Sequence, residues 1–362
     1  MRARVAIVYN EPVPSRYDAA GEKEAVLGVL SAVAAVHQAL LELDYGVVRL
    51  GLVPPSGSAV RKLRSLGADV VFNLFEGFCG YPETEALVPE TLAGLGIPYT
   101  GCPGEVLRLA LDKAKVKVIL KAAGIPTPDF QLLNPETLPG FHLGYPCIVK
   151  PRSEDASHGI SEASVVDSPA RLARPVRFIS DTYGGGALVE EFIDGREFNV
   201  AVLGSGEGVV LPPSEIVYSL PPEMPRLLTF AAKWQEDSPY FEATKLVGPA
   251  EVDSGVQESI SQTALTVFRL FGCRGYARVD VRMDGSERLN VIEVNPNPDI
   301  SPGSGAARQA VAAGMSYAQF VEKVIQIALE KDGYEHQYPG HAEKRQARPD
   351  EDTAEYARIQ TI

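Results

Sequence analysis

Between Gly275 and Pro298 the chain reads GYARVDVRMDGSERLNVIEVNPNP. Two strand-like runs, Tyr276–Met283 and Leu289–Asn295, flank a segment containing Asp284-Gly285. The pattern predicts a β-hairpin, because Asp-Gly suits a tight turn between strands. Side chains two apart on a strand face the same way. Arg278 and Asp280 therefore share a face, as do Glu293 and Asn295. If the hairpin closes about Ser286 and Glu287, Asp280 lies opposite Glu293. One patch then holds two carboxylates, an amide oxygen and a guanidinium. Apolar neighbours flank all four positions, which argues against a solvated, salt-bridged strand face. Buried carboxylates without partners are expensive, and a cation resolves that cost. Oxygen ligands of this kind suit Mg²⁺ (or Mn²⁺), commonly held by one or two carboxylates plus substrate phosphates. The arginine can neutralise anionic charge that develops beside the metal.

Elsewhere the chain alternates. Val5–Tyr9 reads as a buried strand, Ala25–Leu43 as an amphipathic helix, and Val47–Leu52 and Ala68–Phe75 as further strands. Strand–helix–strand order predicts an open, mostly parallel sheet. Ligands of such sheets sit beyond the C-terminal strand ends, where Glu11 and Glu76 fall. GIPYTG at 96–101 marks a transition, and the basic stretch DKAKVKVILKAAG then predicts a helix. Short strands and helices mix from there to about residue 200, followed by a β-rich region and helices at Gln257–Phe271 and Tyr317–Leu329. The expected division is an N-terminal α/β domain at 1–103, a central subdomain at 104–186 and a C-terminal subdomain at 187–330. The last segment, 331–362, is expected to be a mobile tail. From Glu330 onward there are eight acidic and five basic residues and few apolar ones.

Two more segments carry chemistry. In YPCIVKPRSEDASHGIS, Lys150 ends an apolar strand and precedes a polar loop. A lysine there can meet a phosphate as a point charge, and backbone N–H groups of the loop can meet its oxygens. A plain surface loop is the competing reading. In ALVEEFIDGREFNVAVL, Glu190 and the backbone at Phe192–Ile193 could face adenine, and Glu197 could accept from ribose hydroxyls; taken singly, each glutamate also fits a surface charge.

The 362 residues carry 34 basic and 47 acidic side chains, a formal charge of −13. Such a chain repels nucleic-acid phosphates unless it has a basic patch, and no Lys/Arg-rich run is present. No stretch reaches the roughly 20 apolar residues of a membrane helix. The apolar start, Val5–Tyr9, is too short for a signal peptide. A cytoplasmic protein with small-molecule partners is expected. Cys79, Cys102, Cys147 and Cys273 are too dispersed for a zinc site or a disulfide framework.

Together IPYTG…LDKAKVK, YPCIVKP, LVEEFIDGREFNVAVL, ARVD and IEVNPNP…GS resemble the ATP-grasp ligases, in particular the D-alanine–D-alanine ligases, from about Asp69 to Leu329. The resemblance implies an ATP-grasp α/β fold. It implies an ATP-dependent enzyme that joins a carboxylate to an amine through an acyl phosphate, using amino-acid or carboxylate substrates. By the same resemblance Lys117 and Lys150 bind ATP phosphates. Glu190 with Phe192 and Ile193 holds adenine, Glu197 holds ribose, and Asp280, Glu293 and Asn295 hold Mg²⁺. Arg278 stabilises the acyl phosphate, Lys233 approaches the transferred phosphoryl group, and Ser157 sits in the phosphate-covering loop. Ser304 and Gly305 bind the acceptor carboxylate. A homodimer is implied only in this way.

The departures fall on the amino-acid half. The stretch GEKEAVLG offers Glu22 or Glu24 for the donor ammonium, and Glu24 is taken, with Glu76, as substrate-binding. Glu76 stands where the family has histidine; Asp155 and Asp299 stand where it has glycine. Asp299 either caps a local turn or meets a substrate with its own positive charge. D-Alanyl-D-alanine and the product of another amino- or carboxylic-acid pair are the two expectations. A nucleotide-binding protein that no longer ligates would have lost a metal ligand or the arginine, and all are present.

Overall fold

The computed structural model describes residues 2–22 and 24–330. The expected tail, 331–362, lies outside the described residues.

Three sheets organise the described residues. The first is parallel, in the order β2–β1–β3, with β1 at Arg4–Asn10, β2 at Gly46–Leu52 and β3 at Val70–Leu74. Val5, Ala6, Ile7 and Val8 are all fully buried, as expected of a central strand covered on both faces. The helices Glu24–Glu42 and Tyr317–Leu329 pack on this sheet through one apolar cluster that includes Val36, Leu40, Phe320 and Val324.

The second sheet runs β4–β7–β5–β6, antiparallel, with β4 at Phe130–Leu133, β5 at Cys147–Pro151, β6 at Val165–Val166 and β7 at Ala187–Glu191. β7 lies after the boundary expected at 186/187, yet pairs with β4 and β5. The reason is cross-strand bonding that no local pattern shows. Similarly, Val106, Leu107, Val116 and Leu120, assigned to the central subdomain, pack into the core of the C-terminal sheet.

That third sheet is built from β8 (Arg196–Ser205), β9 (Val209–Val210), β10 (Ser214–Tyr218), β11 (Thr244–Val247), β12 (Arg274–Met283) and β13 (Leu289–Pro296). Pro212 and Pro213 separate β9 from β10, since proline cannot donate to a ladder. One face carries Phe198, Val200, Val202, Val279 and Val281 against the helix Ser254–Leu270. The opposite face carries the polar residues of the site.

The hairpin closes with a bulge. The pairs nearest its turn, Met283 with Leu289 and Val281 with Val291, centre on Ser286, and the register shifts between Val281 and Asp280. The extra residue is Ile292. Without it Asp280 would face an isoleucine; with it Asp280 faces Glu293, and Arg278 faces Asn295.

Candidate active site

A cleft of about 820 Å³ opens between the second and third sheets. Lys150, Ser157, Glu190, Phe192, Ile193 and Glu197 line it, together with Lys233, Arg278, Asp280 and Glu293. Lys117 and Asn295 stand behind these residues. Ser304, Gly305 and Glu76 do not line the cleft. Ser304 instead caps its own helix, Gly305–Ala312. Glu24 opens the helix Glu24–Glu42, and its side chain is outside the described residues.

Period-two alternation on adjacent strands builds the polar face. Asn199 of β8 pairs with Asp280 of β12, and Glu197 with Arg282. Asp280 is the centre. Arg278 holds it with a two-pronged fork, Nε to Oδ1 at 2.7 Å and Nη2 to Oδ2 at 2.8 Å. The Asn199 amide donates to Oδ1 at 2.7 Å and the Asn295 amide to Oδ2 at 3.0 Å. Burial raises the Asp280 carboxyl and the Glu293 charge adds to this, against the pull of Arg278. Glu293 itself pairs with Lys113 at 2.9 Å. Burial works against its charge, but Lys113, Lys150 and Lys233 prevail and bring it down to about 2.

A second group surrounds Glu190, 2% exposed. Lys117, 1% exposed, approaches it at 2.6 Å, and Lys150 holds the other oxygen. Thr127 fixes Lys117 at 2.9 Å and itself donates to the Val291 carbonyl. Burial carries Lys117 down to about 8, with Lys150 adding repulsion, while Glu190 opposes both. Burial penalises the Glu190 charge, yet the two lysines keep its carboxyl below the ordinary value. The Ile193 carbonyl accepts from Arg282 at 2.7 Å, whereas its N–H has no partner among the described residues. Glu197 takes Arg282 at 2.9 Å and the Tyr218 hydroxyl at 2.8 Å, both on Oε2.

The loop after β5 is folded inward. Glu154 and His158 are buried, and Ala156 and Ser157 adopt positive φ of 48° and 63°. The Ser157 hydroxyl donates to the Leu228 carbonyl at 3.0 Å, and the Trp234 indole to the Ala156 carbonyl at 3.2 Å. From the N-terminal side, Glu22 accepts from Gly159 N–H at 3.0 Å and from the Tyr183 hydroxyl at 2.9 Å, and meets His158 Nδ1 at 2.7 Å. Tyr17 stacks on His158 with centroids 3.8 Å apart. The surface-loop reading thus fails. Lys233 enters from the short helix Phe230–Trp234, capped by Thr229, and has no ion-pair partner among the described residues. Burial lowers it, and Arg278 lowers it further.

Sequence reasoning missed Lys113, Asn199, Arg282 and His158. The first three were within reach: Lys113 lies four residues before Lys117 on one helix face, and Asn199 and Arg282 extend the alternation of Glu197 and Asp280. His158 depends on Glu22, more than a hundred residues away, and left no local signal.

A metal fits this face. Among the described residues no cluster of three or more His, Cys, Asp or Glu side chains converges, so an all-protein cage is not the design. Asp280 and Glu293 face each other, and Asn295, whose Nδ2 is engaged with Asp280, keeps its Oδ1 available. Two carboxylates and an amide suit an ion completed by substrate phosphates.

The family model for the D-Ala–D-Ala ligase C-terminus matches residues 119–326. The uncharacterised protein y4sG of Sinorhizobium fredii is 37% identical over 262 residues, 72% of this chain and 74% of that protein. The D-alanine–D-alanine ligase of Alcanivorax borkumensis is 32% identical over 299 residues, 82% of this chain and 88% of that enzyme. A crystal structure of the Bacillus anthracis D-alanine–D-alanine ligase complexed with ATP superposes with a TM-score of 0.71 at 21% identity, covering 93% of this chain and all 100% of that one. The fold is therefore ATP-grasp, and the chain belongs to the D-alanine–D-alanine ligase family.

Proposed function

We propose that this protein is an ATP-dependent ligase that joins the carboxylate of one substrate to the amine of another, releasing ADP and phosphate. The observation that carries the reading is the facing pair Asp280 and Glu293 beside the Arg278 fork, in one cleft with the Lys117–Glu190–Lys150 group. A carboxylate is a poor electrophile, because oxide is a poor leaving group. Its oxygen attacks the γ-phosphorus of ATP, ADP departs, and an acyl phosphate results. The neutral amine of the second substrate attacks the acyl carbon, phosphate leaves, and the nitrogen loses its proton.

The residue roles follow. Lys117 and Lys150 meet the ATP phosphates. Glu190 and the Ile193 N–H face adenine beside Phe192, and the unengaged Oε1 of Glu197 accepts from ribose. Arg278 and Lys233 stabilise charge on the transferred phosphoryl group and on the tetrahedral centre. Mg²⁺ held by Asp280, Glu293 and Asn295 would supply charge neutralisation between the phosphates. The loop around Ser157 excludes water from the acyl phosphate. Ser304 and Gly305 remain the candidates for the acceptor carboxylate, and Glu22, already in contact with the loop, is preferred to Glu24 on the donor side. We take 1–103 as the N-terminal lobe and place the boundary between the two ATP-grasp lobes after Glu191. No described helix is long and apolar enough to cross a membrane, and a ligase that consumes ATP belongs in the cytoplasm.

A phosphate-release screen over pairs of D- and L-amino acids, with mass detection of products, tests the reading. Phosphate release that needs two substrates and yields their amide is expected. ATP binding without release in any pair would refute it. A second reading, that the preferred pair is not D-alanine with itself, is favoured by Glu76 at the end of β3.

A further inference from the structure

Arg278, Asp280 and Arg282 alternate along β12 and share its polar face. The first two belong to the phosphoryl end of the large cleft. Arg282 stands opposite Glu197 of β8, at the end assigned above to the nucleoside, and is 3% exposed. Its Nε and Nη2 donate to Glu197 Oε2. Its Nη1 donates to the Ile193 carbonyl at 2.7 Å, and Nη2 also donates to the Arg226 carbonyl at 2.6 Å. A guanidinium has five N–H donors in a fixed fork, and four of them go to these acceptors. Its centre also lies over the rings of Phe192 and Tyr218, 5.1 and 6.0 Å from their centroids, within reach of attraction between a cation and an aromatic face.

Each contact takes one polar atom of its partner and leaves another free for a ligand. Glu197 is held by Arg282 and by the Tyr218 hydroxyl through Oε2 alone, and its Oε1 has no hydrogen-bond partner among the described residues. Ile193 is held through its carbonyl, shared with the Gly195 N–H at 3.1 Å, while its own N–H is unused among the described residues. The Arg226 carbonyl precedes Leu227 and Leu228, which line the cleft together with Phe192, Ile193 and Glu197. The Arg226 side chain returns to Asp194 at 2.8 Å. The segment after Glu191 and the segment at 226–228 therefore meet around one guanidinium. Packing alone does not call for an arginine here, since a buried ion pair can be replaced by apolar side chains at little cost. What the arginine adds is orientation. Without it the buried Glu197 charge keeps only the Tyr218 hydroxyl, and it must turn away or take up a proton.

On the ligase reading above, we infer that Arg282 is a positioning residue that sets selectivity for the nucleotide, holding Glu197 Oε1 toward the ribose hydroxyls and the Ile193 N–H toward the base. It does not touch the reacting atoms and acts through these two groups. A carboxylate fixed in place and stripped of water accepts strongly from a hydroxyl. Where the hydroxyl is missing, that acceptor is left buried and unmet. Binding thus depends on the ribose hydroxyls for as long as Arg282 holds Glu197.

Calorimetric titration with a non-hydrolysable ATP analogue against its 2′-deoxy and 3′-deoxy counterparts tests this, in the presence of Mg²⁺. In wild type at least one deoxy compound should bind about tenfold weaker or more. Arg282→Met should bring that ratio to within about twofold. Arg282→Lys keeps the charge but loses the fork; it should give an intermediate ratio and serves if the methionine variant does not fold. A general loosening of the lobe, or a lost contact to the base, weakens all three nucleotides alike and leaves the ratio where it was. A ratio that survives the substitution therefore overturns the inference, as does a wild type that binds both deoxy compounds as tightly as the parent. Phosphate release is read separately. Hydroxyl selectivity that Arg282→Met abolishes, with no release by wild type in any pair of amino acids, would sink the ligase reading and leave the role of Arg282 standing. Release that needs two substrates, with the ratio unchanged in the variants, would do the reverse.

Discussion

The two cavities treat charge in opposite ways. In the larger cleft four of the lining carboxylates each have a cation: Glu190 has Lys117 and Lys150, Glu197 has Arg282, Asp280 has Arg278, and Glu293 has Lys113. In a second, smaller cavity at the end of β3, lined by Glu76, Glu85 and Asp299, Glu76 and Glu85 have none among the described residues, and Glu85 has the Asn297 amide instead. Buried charges are tolerable when paired and hydrogen-bonded, and unfavourable when not. The larger cleft therefore rests in a self-neutralised state, and incoming phosphates and metal exchange partners within it. In the smaller cavity like charges face one another, and the Glu76 and Glu85 carboxyls are raised.

The largest effects should come from breaking the neutral balance of the larger cleft. Glu293→Gln removes a charge that Lys113 and the metal both need, and Asp280→Asn weakens the hold on Arg278. Each should lower turnover on the order of 10²–10³-fold or more with the fold retained. Near-normal turnover at millimolar Mg²⁺ in either variant would remove the metal assignment. Arg278→Lys keeps the charge but loses the planar fork. It should lower kcat strongly while binding of an ATP analogue changes little.

Lys150→Ala strips one of the two cations from Glu190, and the effect should appear in binding. Affinity for the ATP analogue is expected to fall about tenfold or more, with melting temperature reduced as well, because the Glu190 charge stays buried. Unchanged affinity together with a collapse of kcat would mean that the roles of Lys150 and Arg278 are exchanged.

The folded loop borders the larger cleft. His158→Phe should preserve stacking on Tyr17 and lose the contact to Glu22. Glu22 keeps Gly159 and Tyr183, so the loss is partial, about 1–3 kcal/mol of stability. A loosened loop admits water to the acyl phosphate. Phosphate release uncoupled from amide formation should rise several-fold, read as the ratio of phosphate to product. Full coupling in this variant would show that His158 does not help to hold the loop.

How much of this was legible varies along the chain. The pairing of Asp280 with Glu293 followed from alternation and an Asp-Gly turn. The register that delivers it did not, because the Ile292 bulge has no local signature. The helix Ser56–Arg64 buries only Ala59 and Leu63 and starts with Ser-Gly-Ser, so it reads as a loop. The helix Gly305–Ala312 follows SPGSG and buries mainly alanines, which mark an amphipathic face weakly. The ATP half of the site was named residue by residue from ordered motifs, since its side chains sit on strands and on one helix whose periods are readable. The acidic cavity was visible only as departures at Glu76 and Asp299. Glu85 went unremarked, because its partners come from three distant segments.

The smallest expected effect isolates the repulsion in the smaller cavity. Burial, Asp155 and Glu76 raise the folded-state carboxyl of Glu85 well above its ordinary value, about 4.3 when unfolded. A group raised on folding contributes stability that is fully present below the unfolded value and is lost as pH rises through the folded one. At pH 4 glutamate and glutamine are then nearly equivalent at position 85. At pH 8 wild type either carries an unfavourable charge or binds a proton to avoid it, and glutamine does neither. Glu85→Gln should therefore match wild type in melting temperature at pH 4 and exceed it by a few degrees at pH 8. A gap independent of pH would mean that Glu85 already has a compensating partner, and the contrast between the two cavities would disappear.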